Sequence, residues 1–308
     1  MISTPSAGLL RRSAAVASMA LLGLGLAACS SDANAEGSGG YAVDKDTLVF
    51  GVVPDSVDTE TNYQPLMDYI AQETGKEVEY HESTDYAALI EASVAGKIDV
   101  ASFSGFTYVT ATTKGAELTP ISSIITKEGA EPGYYSEAIA PKDSDIESIK
   151  DFKGKKVCFV DPSSTSGYLF PSYNLLDNGI DPKEDISPVF AGKHDVSVKK
   201  TAVGTECEAG FAEDVEVAKN DKVKVVDKTL VPGAPIVVAD ALPKETKDQL
   251  TDLLKEVTAD EIVDSGVKSA DTDAFRQVFY GTSPVDDAYY DEIRTLCKET
   301  KAEQCTEG

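Results

Sequence analysis

The stretch Asp161-Pro162-Ser163-Ser164-Thr165-Ser166-Gly167 stands between the apolar run Val157 to Val160 and the amphipathic run Tyr168 to Leu176. This order predicts a buried strand, a turn of short hydroxyl side chains and a helix. Backbone N–H groups, hydroxyls and the positive end of a helix dipole then point to one place, where an anion can bind. An ordinary helix N-cap has the same composition, so the rest of the chain has to decide between the two.

Strand-like and helix-like segments alternate on both sides of this turn. Before it, the strands Leu48 to Val53, Val78 to His81 and Ile98 to Phe103 are separated by two amphipathic helices, which predicts a parallel sheet. After it, strands near Ile186 to Phe190 and Glu206 to Phe211 continue the alternation, and the pattern beyond residue 239 is helical. We therefore predict an α/β protein of two lobes, each a mostly parallel sheet flanked by helices, with a ligand in the cleft between them.

The first 28 residues are predicted to be an export signal. Arg11 and Arg12 precede the apolar run Ala14 to Ala28, which is short for a transmembrane helix. The run ends at Leu26-Ala27-Ala28-Cys29, which resembles a bacterial lipobox, in which the cysteine becomes the lipid-modified first residue of the mature protein. We therefore expect a lipid anchor on the extracytoplasmic face of the cell membrane, and a plain secretory signal is the alternative.

The same patterns give predicted domain boundaries. Residues 1–28 form the signal peptide, 29–46 a flexible tether rich in Ser, Ala, Gly and Asp, 47–140 together with 236–308 lobe 1, and 141–235 lobe 2. The chain thus crosses between the lobes twice, and its C-terminal helices return to the first lobe.

The chain is strongly acidic, with 28 Lys and Arg against 53 Asp and Glu and a net charge of −25. Removal of the signal peptide takes away two arginines and no acid, which lowers the charge from −25 to −27. Such a surface repels nucleic acid and anionic membranes. Only Arg276 and Arg294 remain, so neutral donors must do most of the holding of any anion. The acids are scattered and lack calcium-loop spacing, and we expect neither a metal nor a cofactor.

Four cysteines follow Cys29, and an even number in an exported chain predicts two disulfides with three possible connectivities. We favour Cys158–Cys207 with Cys297–Cys305, because each bridge then stays within one segment of the predicted architecture. A zinc site is the alternative, although the sequence has no C-x-x-C pair.

Several motifs occur in order along the chain: Ser83 to Ile90, Ile98 to Ala101, Gly133 to Ser136, Asp161 to Pro171, Ala191 to Asp195 and Val231 to Ile236. Through them the chain from about Leu48 to Leu254 resembles the phosphate-, phosphite- and phosphonate-binding proteins of bacterial ABC importers. The resemblance implies a periplasmic-binding-protein fold of the type II-like kind and reversible capture of a phosphorus oxyanion without chemistry. It also implies a membrane permease as partner, and we expect the protein to be a monomer.

The resemblance implies a set of ligand-binding residues as well. Ser164, Thr165 and Ser166 match the family's hydroxyl and amide donors to the phosphorus oxygens. Tyr86 matches a phenol that donates from the first lobe. His194 matches a histidine that meets the same oxyanion, and as a cation it would supply the nearby positive charge.

Two positions depart from the family pattern. Phe103 occupies a ligand-binding position at which many relatives have a tyrosine, so a phenolic donor is missing and Ser104 is expected to stand in, which makes seven implied ligand-binding residues in all. Ala234 stands where binders of aminoalkylphosphonates have an acid. A buried ammonium group without a carboxylate partner is costly, so we expect phosphate, phosphite or a small uncharged alkylphosphonate rather than 2-aminoethylphosphonate.

Functions of other classes remain as alternatives. A serine hydrolase using Ser164 or Ser166 lacks the G-x-S-x-G elbow, and His81 and His194 are the only histidines available as a base. The sequence contains neither a P-loop nor an H-E-x-x-H motif. A binding protein of the same fold for another oxyanion, and a surface sensor or adhesin without transport, share the features described above.

Overall fold

Two β-sheets organise residues 39–306, the part of the chain that the computed structural model describes. The predicted signal peptide, the lipobox cysteine Cys29 and residues 29–38 of the predicted tether lie outside this part. Within residues 39–306 no helix is both long enough and apolar enough to cross a membrane.

The first sheet has six strands: β1 (Thr47–Val52), β2 (Glu77–His81), β3 (Val100–Ser102), β4 (Leu118–Ile125), β10 (Pro235–Ala239) and β11 (Gly281–Pro284). Their order across the sheet is β11-β4-β10-β3-β1-β2. β1 runs parallel to both β2 and β3, as predicted from the alternation of strands and helices. β10 is antiparallel to β3 and β4, and β11 is antiparallel to β4.

The second sheet has five strands: β5 (Tyr134–Pro141), β6 (Lys156–Phe159), β7 (Ser187–Phe190), β8 (Ala209–Glu213) and β9 (Val223–Val231). Their order is β7-β6-β8-β5-β9, with β6 parallel to β7 and β8, and β5 antiparallel to β8 and β9. We use the word lobe for each sheet together with the helices that flank it.

Ten α-helices cover the two sheets: α1 (Thr59–Thr74), α2 (Tyr86–Val94), α3 (Gly105–Thr113), α4 (Phe170–Asp177), α5 (His194–Val203), α6 (Asp214–Val217), α7 (Lys244–Leu254), α8 (Ala259–Asp264), α9 (Asp273–Val278) and α10 (Asp291–Thr300) among residues 39–306. A π-helical turn at Thr165–Leu169 leads directly into α4. Short 3₁₀ turns lie at Ile149–Phe152, Lys268–Ala270, Asp287–Tyr290 and Glu303–Cys305.

Local sequence signals explain where several helices begin and end. The Asp85 side chain accepts a hydrogen bond from the amide of Ala88 at 2.8 Å and caps α2, as its position before the apolar pattern predicts. Gly75 ends α1 with a φ of 67°, a left-handed conformation that glycine adopts without steric cost. These caps fix the start of α2 and therefore the position of Tyr86, its first residue.

The predicted two-lobe α/β fold is confirmed, and each sheet is mixed because strands next to the two crossings run against their neighbours. β5 joins the second sheet, so residues 134–140 pack with that sheet rather than with the first lobe, to which the sequence prediction assigned them. β11 interrupts a region predicted to be helical. Its sequence Gly-Thr-Ser-Pro has no apolar residue, so no hydrophobic period could reveal a strand.

The C-terminal helices pack against the first lobe, and α10 also reaches the second. α7 contacts β4 and β10, while α10 contacts both α3 of the first lobe and α4 of the second. Both favoured disulfides are present: Cys158–Cys207 and Cys297–Cys305, with Cα atoms 5.5 Å and 5.6 Å apart. The first bridge joins β6 to the segment before β8, inside the second lobe.

The two crossings between the lobes lie against each other, and two neighbouring tyrosines hold them. The Tyr289 hydroxyl donates to the carbonyl of Pro132 in the first crossing and accepts from the amide of Gly233 in the second at 3.3 Å. The Tyr290 hydroxyl donates to the Gly233 carbonyl at 3.3 Å. The crossings approach so closely that a Cβ atom on Gly233 would lie 3.0 Å from the amide nitrogen of Gly133.

We expect Gly233→Ala to destabilise the protein by about 1 to 3 kcal/mol, because the added methyl group overpacks this contact. Urea unfolding followed by circular dichroism measures the change. The new Cβ would also collide with Oγ of Ser123. The same substitution should therefore cost less in a Ser123→Ala background, and an equal cost in both backgrounds would contradict the proposed crowding.

Candidate functional site

A cavity of about 110 Å³ lies between the two sheets. Its walls come from residues that directly follow β1 and β3 of the first lobe and β8 of the second. The first residues of α2 and α5 complete it. Carboxyl ends of parallel strands and amino ends of helices therefore meet at one place, which is where α/β proteins bind ligands.

The structure brings four of the seven predicted ligand-binding residues to this cavity, namely Tyr86, Phe103, Ser104 and His194. Ser104 caps α3 by accepting from the amide of Thr107, and its hydroxyl also contacts that of Thr107 at 2.7 Å. The other three predicted residues, Ser164 to Ser166, are buried behind the cavity wall and do not line it.

The hydroxyl turn, residues Asp161 to Gly167, contacts the first lobe directly. Ser164 caps the π-helical turn by accepting from the amide of Gly167 at 3.0 Å. Thr165 Oγ1 accepts from the amide of Phe106, in the first turn of α3, at 2.7 Å. The Thr107 hydroxyl donates to the carbonyl of Ser163 at 3.0 Å. The amino ends of α3 and of the π-helical turn are thereby held together across the interlobe boundary.

Tyr134, which the sequence prediction did not name as a ligand-binding residue, connects this turn to the cavity. Its phenol lines the cavity wall. Burial and the nearby Glu213 carboxyl raise the pKa of Tyr134, and the neighbouring hydroxyls of Ser166 and Thr165 partly offset this rise. Ser166 Oγ is buried without a hydrogen-bond partner of good geometry among residues 39–306. The motif Gly133 to Ser136 was the signal that could have identified Tyr134.

Tyr63 and Tyr86 add two further phenols to the cavity. Tyr63 Oη bonds Ser102 Oγ at 2.9 Å, at the end of β3. Burial, together with the negative charges of Asp55 and Glu213, raises the pKa of Tyr86 well above its usual value. The same causes raise the pKa of Tyr63. All the phenols that line the cavity therefore keep their protons at neutral pH and can donate hydrogen bonds.

His194 is neutral in the structure, so the predicted cationic histidine is wrong. Its backbone amide donates to the carbonyl of Asp55 in the first lobe at 2.8 Å, and its Nδ1 accepts from the amide of Glu213 at 2.9 Å. Burial lowers the pKa of His194 to about 3. The accepting Nδ1 places the remaining proton on Nε2, which makes the ring a neutral donor rather than a positive charge.

Four acidic residues that the sequence prediction missed also line the cavity: Asp55, Glu213, Asp214 and Glu216. Burial raises the pKa of Asp55 to about 6, and burial with the neighbouring Asp55 raises the pKa of Glu213 well above its usual value. No lysine or arginine within residues 39–306 lines the cavity. Lys193 lies beside the cavity, with Nζ donating to the carbonyl of the lining residue Ser56 at 2.8 Å.

These acids change what the cavity can accept. A carboxyl with a raised pKa takes up a proton more readily than usual, and in its protonated form it donates a hydrogen bond instead of repelling an anion. Ala234 lines the cavity. The sequence argument took the absence of an acid at this position to mean that no carboxylate is near the ligand, but other residues supply acids to the same cavity. Within the described part of the chain the acids form no group arranged to hold a metal ion.

Comparison with known proteins gives a consistent result. Residues 50–290 match a family described as "ABC transporter, phosphonate, periplasmic substrate-binding protein". The phosphate-import protein PhnD of Mycolicibacterium smegmatis is 37% identical to this chain, and the match covers 84% of this chain and 88% of that protein.

Two solved structures share the fold. A binding protein component of an ABC phosphonate transporter from Pseudomonas aeruginosa has a TM-score of 0.71 at 24% identity, covering 84% of this chain and 87% of that one. PhnD1 from Prochlorococcus marinus, solved in complex with methylphosphonate, has a TM-score of 0.72 at 18% identity, covering 83% of this chain and 99% of that one. At these identities the two likenesses support the fold alone.

The neutral, buried state of His194 predicts a pH dependence of stability. In the unfolded chain His194 binds a proton below about pH 6.5, whereas in the folded chain it does so only below about pH 3. Between these two values the unfolded state binds more protons, so the free energy of unfolding falls as pH falls. Relative to His194→Gln, whose side chain has no titrating group, the wild type should lose about 2 kcal/mol between neutral pH and pH 5. Urea unfolding of both proteins across this range measures the difference, and parallel pH profiles would contradict the account.

Proposed function

The chain belongs to the family of periplasmic substrate-binding proteins of phosphonate ABC transporters, and we propose that it captures one phosphorus oxyanion between its two lobes. The family binds substrate rather than transforming it, and it acts outside the cytoplasm. The observation that carries the proposal is the meeting of donors from both lobes at one cavity: Tyr86 from the first lobe, and Tyr134 and His194 from the second.

Neutral hydrogen-bond donors hold the oxyanion in this proposal. The phenols of Tyr86 and Tyr134 and the Nε2–H of His194 replace the water that the ligand loses, and Ser104 adds a hydroxyl at the cavity. Thr165 acts indirectly, since its hydroxyl lies beside the Tyr134 phenol. Hydrogen bonds of this kind gain strength when lobe closure excludes water, because the local dielectric constant falls. The bonds from Thr165 to α3 and from His194 to the Asp55 carbonyl belong to the closed arrangement and help to keep it closed.

Phosphate, phosphite and small uncharged alkylphosphonates are the proposed ligands. A second candidate is an aminoalkylphosphonate, because the carboxyls of Asp55 and Glu213 offer partners for an ammonium group. That observation weakens the argument from Ala234 against such a ligand, which assumed that no acid was close. A serine hydrolase finds no support, because the Ser164 hydroxyl caps the π-helical turn and Nδ1 of His194 accepts from a backbone amide.

The transporter context supplies the remaining parts of the proposal. A membrane permease receives the ligand from the closed form, and the protein acts as a monomer. Lipid attachment at Cys29, at the end of the Leu26-Ala27-Ala28-Cys29 lipobox, keeps it at the outer face of the cell membrane. The phosphate-import relative from Mycolicibacterium smegmatis supports import as the role.

Isothermal titration with phosphate, phosphite, methylphosphonate and 2-aminoethylphosphonate tests the ligand class. We expect heat and one-to-one binding with at least one of the first three. Tighter binding of 2-aminoethylphosphonate than of methylphosphonate would favour the second candidate. The absence of heat with all four ligands would contradict the proposal.

Thr165→Ala should weaken the preferred ligand by about 1 to 3 kcal/mol. The substitution removes the hydroxyl that accepts from Phe106 across the lobes and lies beside Tyr134. Thr165→Ser is the matched control, since it keeps the hydroxyl and should stay within about threefold of the wild-type affinity. Equal affinities for the wild type and Thr165→Ala would place the hydroxyl turn outside the binding machinery.

A further inference from the structure

One side of the cavity is apolar. Five side chains form it, and we call them the apolar wall: Leu66 of α1, Ile124 of β4, and Phe275, Val278 and Phe279 on and just after α9. All five belong to the first lobe. The rings of Phe275 and Phe279 are stacked, with centroids 5.0 Å apart and an angle of 13° between their planes.

The apolar wall lies next to one of the phenols on α1. Tyr63 and Leu66 are three residues apart on α1 and therefore lie on neighbouring positions of one helix face. Both line the cavity, Tyr63 with a phenol bonded to Ser102 and Leu66 with an apolar side chain. A ligand whose oxyanion meets the phenols and His194 would thus point its remaining substituent along α1 toward α9.

The cavity is also larger than an inorganic oxyanion requires. Its volume is about 110 Å³, whereas a single water needs on the order of 10 to 15 Å³. Phosphate and methylphosphonate each have five non-hydrogen atoms, so either would leave space beside the apolar wall. Water held against apolar side chains has few hydrogen-bond partners, and an apolar ligand group displaces it favourably.

We propose that the apolar wall is a subsite for an apolar substituent on phosphorus, and that the protein takes alkylphosphonates with chains of several carbons in preference to methylphosphonate. This inference rests on the proposed capture of a phosphorus oxyanion at the same cavity. Val278 is half-buried and lines the cavity, so substitutions at this position test the subsite with the least disturbance of the core.

Titration with methyl-, ethyl-, propyl- and butylphosphonate tests the subsite. Each added methylene should tighten binding by about fourfold until the chain fills the space. Flat or falling affinity along the series, with methylphosphonate still bound, would overturn the inference and leave the oxyanion site intact. Failure of every member, together with phosphate and phosphite, would instead overturn the proposed function.

Two substitutions of Val278 locate the effect. Val278→Trp fills the subsite and should remove the gain in affinity from methyl- to butylphosphonate. Val203→Trp, on an exposed position of α5 outside the cavity, is the matched control and should keep the gain. Val278→Thr changes the polarity but hardly the shape, so it should reduce the gain per methylene even if the tryptophan variant fails to fold. Unchanged chain-length dependence in Val278→Thr and Val278→Trp would place the substituent elsewhere.

Discussion

A buried anion needs donors to replace its water, and this protein provides them at a cavity that no lysine or arginine of residues 39–306 lines. That constraint accounts for the rest of the site. Phenols, a neutral imidazole and helix amino ends carry only partial charges, so several must converge on one point to replace one full positive charge. The α/β architecture achieves this convergence, because it brings strand ends and helix starts from both lobes to the same cleft.

Closure of the lobes follows from the same constraint. Donors on one lobe alone would leave the ligand partly in water, where neutral hydrogen bonds contribute little to affinity. In the structure the lobes also bond to each other at the cavity, through Thr165 with Phe106, His194 with Asp55, and Lys193 with Ser56. These bonds involve backbone groups, the Thr165 hydroxyl and the Lys193 ammonium group, so the arrangement that encloses the cavity is the one that satisfies them.

Much of the fold could be predicted from local sequence, and much of the site could not. The strand, turn and helix around the hydroxyl turn depend on residues close in sequence, and the pattern identified them. The Asp85 cap and the end of α1 at Gly75 are set by local residues in the same way. The charge of His194 depends on burial and on the Glu213 amide, which only the tertiary structure supplies. Asp55 follows β1 of the first sheet and Glu213 ends β8 of the second, so the two meet only when the lobes pack together. That the hydroxyl turn meets the ligand stays a prediction, since the turn does not line the cavity, whereas Tyr134, whose phenol lies beside the hydroxyls of Thr165 and Ser166, does.

Our central claim is that an oxyanion binds among neutral donors and beside carboxyls that take up protons when it enters, with no lysine or arginine of residues 39–306 lining the cavity. Proton linkage tests this claim most directly, by titration of methylphosphonate in buffers of different ionisation enthalpy above neutral pH. A negative ligand entering beside Asp55 and Glu213 raises their pKa values further, so the account predicts net uptake of protons on binding and weaker binding as pH rises. Proton release, or an affinity that does not change with pH, would contradict it.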